Sequence, residues 1–210
     1  VQTTYPLGLD DATTGIHNYP FLSGEYLDNL RFAAGRAREL GLRFDLTLGS
    51  GWPYGGPNVP VAESAGMLRV TASAIADGQD SVALPGMGAG ERFLAAFLVR
   101  NAQDGIATED AQQLSDMRDG RLWLPHLEGS HAVLFFIASH TGQQVKRPAV
   151  GAEGFVVDHY DRQAMENYLH AVGDQLMPEF ASHPPYAVFS DSLEVYGSDW
   201  TRDFLKEFQQ

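Results

Sequence analysis

Apolar residues recur at helical spacing in three stretches of the chain. Tyr26, Leu27, Leu30, Ala33, Ala34, Ala37 and Leu40 form the first stripe, with Ser23 placed to cap its start and Gly41 to end it. Met165, Tyr168, Leu169, Val172 and Leu176 form the second, opened by Asp161 and stopped by Pro178. Trp200, Phe204, Leu205 and Phe208 form the third, after a cap at Ser198 or Asp199. Short β-prone runs stand at residues 1–5, 42–48, 155–157 and 186–189, and they alternate with these helices in β/α order.

Between residues 68 and 140 the texture changes. Runs at 68–73, 93–100 and 131–139 are separated by turn formers such as Pro85-Gly86-Met87-Gly88, and helical periodicity returns only near Thr108 to Met117. The pattern predicts a first set of β/α units over residues 1–67, a β-rich insertion over 68–140 and further units over 141–210. Strand ends near Asp10, Trp52, Asp158 and Glu194 count as about four β/α units, which predicts an α/β fold that is part of a (β/α)8 TIM-type barrel. An open α/β domain is the alternative.

Composition narrows the function classes. With 210 residues and 44% hydrophobic content the chain can bury a sizeable core, and its net charge of -13 disfavours nucleic acid and anionic membranes as partners. The absence of cysteine excludes disulfides and thiolate metal sites, and no apolar run approaches the roughly 20 residues of a membrane-spanning helix. The chain begins at Val1 without Met and stops at Gln210 inside the third stripe, so it reads as a piece of a larger parent chain.

The candidate chemistry lies at the predicted strand ends. Asp191 and Glu194 follow the run at 186–189 and can face one pocket, one as acid or base and the other orienting it or binding a cation; the plain alternative is a turn-capping Asp191 and a solvated Glu194. Asp158 and His159 stand at the end of the preceding run, where neighbouring side chains point to opposite sides, so one of them faces the pocket unless Asp158 only binds backbone amides. Trp52 and Tyr54, in the glycine-rich loop 49–57, offer a flat apolar platform for a sugar ring, or alternatively core packing. Lys146 and Arg147, after Gln143 and Gln144, can bind hydroxyls or a carboxylate, or stand solvated. Phosphate-loop, zinc-protease, α/β-hydrolase and EF-hand signatures are absent.

Taken together, Gly49-Ser50-Gly51-Trp52-Pro53-Tyr54-Gly55-Gly56-Pro57, Thr141-Gly142-Gln143-Gln144-Val145-Lys146-Arg147-Pro148-Ala149, Glu153-Gly154 with Val157-Asp158-His159, and Phe189-Ser190-Asp191-Ser192-Leu193-Glu194 resemble glycoside hydrolase family 106, the α-L-rhamnosidases. The resemblance implies a barrel catalytic domain within a larger, exported, periplasmic or extracellular bacterial enzyme. It implies inverting hydrolysis of terminal α-L-rhamnose from plant polysaccharides or glycosides, with calcium at the site. By that resemblance Glu194 is the general acid, Asp191 and Asp158 are candidate calcium ligands, and the second carboxylate lies beyond Gln210, so these residues alone are expected to show little or no activity. The competing readings are a non-catalytic carbohydrate-binding barrel domain and another metal-dependent barrel hydrolase using Asp158, His159 and Asp191.

Overall fold

A computed structural model describes residues 10–102, 105–180 and 183–210. The chain divides into two compact units, one formed by residues 1–66 and 141–210 and the other by Met67–His140.

In the first unit, helix α1 (Gly24–Glu39) starts where the sequence places it: the Ser23 hydroxyl accepts the Tyr26 N–H, and Gly41 ends the helix at φ 69°. Of its apolar stripe only Leu30 is buried and Leu40 stands exposed, as does Phe32 outside the stripe. Strands β1 (Asp45–Thr47) and β2 (Gly55–Gly56) flank the glycine-rich loop. Farther on come β10 (Phe155–Val156), α2 (Arg162–Leu176), β11 (Ala187–Phe189) and α3 (Phe204–Phe208). Helix α2 is capped by Asp161, whose carboxylate accepts the Gln163 and Ala164 N–H groups, and it buries Ala164, Tyr168, Val172 and Leu176 against Leu30, Leu46, Val59 and Val157.

The second unit is all β. It holds β3 from Met67 onward (the strand spans Gly66–Ile75), β4 (Ser81–Ala83), β5 (Arg92–Ala102), β6 (Gly105–Leu114), β7 (Met117–Arg118), β8 (Arg121–Trp123) and β9 (His131–His140). One sheet runs β3-β9-β5-β6 and the other β4-β8-β7, and Val82 and Leu122 of the smaller share a core with Ala96, Leu98, Val133 and Phe135 of the larger.

These pairings overturn the barrel expectation. Among the described residues, β1 and β11 form a parallel pair, Asp45 opposite Ala187 and Thr47 opposite Phe189, and nothing closes around them. The run at 155–157, read as a further barrel strand, pairs antiparallel with β2, so the described residues form a set of small, mostly antiparallel sheets with three α-helices and not a (β/α)8 arrangement. A short apolar run marks a strand without saying which partner it takes or in which direction. Two local readings change as well: the helical periodicity near Thr108 to Met117 falls on strand β6 and the start of β7, and α3 begins at Phe204, not after Ser198 or Asp199. The run at 1–5 lies outside the described residues.

Candidate functional site

Because β1 and β11 are parallel, the loops leaving their carboxyl ends emerge side by side. The loop after β1 carries Trp52 and Tyr54, and the segment after β11 carries Asp191 and Glu194. The Tyr54 hydroxyl donates to the Phe189 carbonyl at 3.0 Å, and the Tyr54 ring stacks on Tyr168 with centroids 5.7 Å apart. Tyr168 is itself buried, with its hydroxyl on the Leu48 carbonyl. Burial pushes that phenol above its usual range, so it serves as a neutral donor in the floor of the loop.

The residues 141–149 bring the third contribution. Lys146 exchanges backbone hydrogen bonds with Trp52, an approach that Gly51 permits: a Cβ there would lie 2.6 Å from the Lys146 carbonyl oxygen. The Lys146 ammonium then sits 2.8 Å from Glu194 Oε2, 4.6 Å from the centre of the Tyr196 ring and 5.8 Å from that of Trp52. Glu194 Oε2 also accepts the Tyr196 hydroxyl at 3.1 Å, and Oε1 accepts the Ser192 hydroxyl at 3.1 Å. Ser192 and Tyr196 thus reach Glu194 from two residues before and two after it, across a backbone tightened by the Val195 N–H to Leu193 carbonyl hydrogen bond.

Donors on both oxygens, led by Lys146, pull the Glu194 carboxyl down to about 2, and the same contact raises Lys146. Glu194 is 39% exposed, so the pair contributes little to stability, but it leaves Glu194 ionised across the neutral range.

The remaining candidates have surroundings of their own. Asp191 lines a shallow cleft with Thr47, Trp52, Tyr54 and Ser190, and its Oδ1 accepts the Ser192 N–H at 2.7 Å. Asp158 is buried, with Oδ1 on the Tyr160 N–H at 2.9 Å and Oδ2 on the Thr201 hydroxyl at 2.8 Å. His159 is half-buried; burial holds its imidazole below the usual value, the Val157 carbonyl and Asp158 pull weakly the other way, and neither ring nitrogen meets hydrogen-bond geometry among the described residues. Arg147 is exposed, at φ 48°.

Calcium takes 6–8 oxygen ligands. Asp158 has both oxygens engaged, Asp191 has different neighbours, and no three His, Asp or Glu side chains among the described residues gather to hold a metal.

Sequence reasoning passed over Gln143 as a specific contact and missed Ser192 and Tyr196. No spacing rule finds the latter two, because the backbone at Glu194 is a tight turn and not a strand. Thr47 and Ser50, buried hydroxyls at the end of β1, have no hydrogen-bond partner among the described residues. A larger groove, about 620 Å³, opens near the amino ends of the same two strands, beside Arg31, Arg38, Phe44, Phe180 and Tyr186. None of the candidate residues lines it.

No family model matches the chain, and no curated protein matches it in sequence. The fold is similar to that of a rhamnosidase from Novosphingobium sp. PP1Y, with a TM-score of 0.59 at 15% identity over 93% of this chain and 36% of that one. The chain thus spans about a third of that protein's length, and at this identity the likeness establishes a shared fold, leaving the chemistry to the residues.

Proposed function

We propose that this chain belongs to a glycoside hydrolase acting on terminal α-linked L-rhamnose, with Glu194 as one of its reacting carboxylates. The observation that carries the reading is the meeting of Glu194, Lys146, Tyr196 and Trp52 beside the carboxyl ends of a parallel strand pair. An ionised carboxylate, a cation, a phenol and partly exposed aromatic faces are what a pyranose ring and its hydroxyls require. The fold likeness to a rhamnosidase supports the same class.

Inverting hydrolysis needs one protonated carboxylic acid and one ionised carboxylate, about 6.5–9.5 Å apart. With Lys146 in contact, Glu194 is the ionised kind, ready to activate water or to stabilise a developing oxocarbenium charge. The general-acid role that the family resemblance assigns it requires Lys146 to separate from Glu194 when substrate enters. The ion pair also favours a second reading, in which Glu194 and Lys146 hold sugar hydroxyls without cleaving a bond.

Hydrolysis of an aryl α-L-rhamnoside by the full-length natural protein separates the two. Glu194→Gln is expected to lower the rate by about 10²–10⁴-fold while rhamnose binding is retained. Rhamnose binding by a wild-type protein that hydrolyses nothing selects the second reading, and equal rates in wild type and variant remove Glu194 from the chemistry.

A further inference from the structure

The side chain of Gln143 is committed at both ends. Its Nε2 donates to the Glu194 carbonyl at 2.7 Å and its Oε1 accepts the Tyr196 N–H at 2.8 Å. One carboxamide thereby takes the place of a neighbouring strand and holds the backbone on both sides of Val195. The donors and acceptors match in one orientation of the amide only, since a carbonyl must face the NH₂ and an N–H must face the oxygen.

The rest of the segment is held through side chains: Val195 packs on the buried cluster of Ala65, Val145 and Val156, and farther on Trp200 is buried. Residues 190–203 form neither strand nor helix, and among the described residues the backbone-to-backbone hydrogen bond made within 193–196 is the local one from Val195 N–H to the Leu193 carbonyl. Gln143, in contrast, is anchored. Its N–H donates to the Thr141 hydroxyl, its carbonyl accepts the Val156 N–H, and the next residue, Gln144, bridges Phe155. Lys146 lies three residues farther along the same anchored segment, and Val145 between them is buried. The stretch 143–146 thus meets Glu194 twice, at its backbone through Gln143 and at its carboxylate through Lys146.

We propose that Gln143 is a positioning residue for Glu194: its two-point grip sets the 194–196 backbone so that the carboxylate meets the Lys146 ammonium and the Tyr196 hydroxyl. The grip takes on catalytic meaning only if Glu194 is a reacting carboxylate, as proposed above, whereas its geometry does not depend on that reading. Without it, the 194–196 backbone would be left to the non-directional packing of Val195 and to side-chain contacts partly in water, which fix a backbone conformation less closely than two hydrogen bonds made to it.

The test reads the Glu194 carboxyl by ¹³C NMR in the full chain, with no substrate present. The groups facing it are Lys146, Tyr196 and Ser192. At about pH 3.5 the wild-type carboxyl is expected to remain ionised, whereas in Gln143→Ala it is expected to be more than half protonated, close to an ordinary glutamate. Lys146→Met, which removes the cation itself, sets the size of the full change. A folded Gln143→Ala in which Glu194 stays as ionised as in wild type overturns the proposal. Should that variant lose its folded spectrum, Gln143→Leu decides: it keeps most of the side-chain volume and lacks both the donor for the Glu194 carbonyl and the acceptor for Tyr196, and an unmoved Glu194, or loss of folding here too, makes Gln143 a folding residue and overturns the proposal. Failure to hydrolyse rhamnosides sinks the proposed function and leaves this measurement unaffected.

Discussion

Gly51 decides how closely Lys146 approaches Trp52. A methyl group there would meet the Lys146 carbonyl oxygen and a Val145 methyl, both at 2.6 Å, so either the residue 145–146 backbone or the loop must move. Gly51→Ala is expected to destabilise the fold by about 1–3 kcal/mol, the usual cost of overpacking, and to loosen the Lys146–Glu194 contact. Gly35, in the interior of α1, has nothing within 4 Å of the same added atom, so Gly35→Ala is expected to stabilise by about 0.5–1 kcal/mol. Urea unfolding of the two variants checks both signs at once. The single-residue chemistry was legible only in part: Glu194, Lys146 and Trp52 stood out by type and position, but their meeting joins residues far apart in sequence, which no spacing rule predicts. Asp158 illustrates the limit, because an acidic residue at a strand end reads the same whether it faces a pocket or, as here, ties Tyr160 and Thr201 together.

Helices α1 and α2 were readable in the sequence because their causes are local. A cap, a 3.6-residue apolar stripe and a terminator lie within some twenty residues of one another. Asp161 shows the cap at work, accepting two backbone N–H groups at 2.9 and 3.3 Å and pairing with Arg202 at 2.8 Å. Asp161→Ala is expected to lower stability by about 1–2 kcal/mol and Asp161→Asn by less, since an amide oxygen still caps; thermal unfolding of the pair measures the difference. The third stripe failed where distant contacts took over. Trp200 is buried, with its carbonyl oxygen 2.5 Å from where a Cβ on Gly66 would sit, while Thr201 binds Asp158 and Arg202 binds Asp161, so residues 200–202 are held outside the helix. Strand β6 failed the other way, because antiparallel pairing with β5 overrides a weak helical period.

At the scale of the whole molecule, two carboxylates among the described residues, one in each unit, are held far below their ordinary range. Glu91 is drawn down to about 2 by the two-point contact with Arg69, helped by the Gly88 N–H and the Ser139 hydroxyl, and Glu194 is drawn equally low by Lys146. A carboxyl with a depressed folded value stabilises fully above its unfolded value, near 4.5, and loses that contribution as pH falls toward 2, because the unfolded chain binds the proton first. Denaturant midpoints are therefore expected to fall between pH 4.5 and 2, and to fall less steeply in Glu91→Gln. A midpoint indifferent to pH across that window would contradict the Arg69–Glu91 contact.

The sequence by itself determined the two long helices and their caps, the acidic balance, the absence of thiol chemistry, and the presence of acids, amides and aromatics at a few loops. These follow from neighbours in the chain or from composition, where local sterics and hydrogen bonding decide the outcome. The tertiary structure alone decided that β10 runs antiparallel to β2, that no barrel forms among the described residues, and that Gln143 and Lys146 hold Glu194. Strand partners and side-chain meetings across some fifty residues depend on which backbone edges and buried surfaces find each other, and a short apolar run fits several of them equally well.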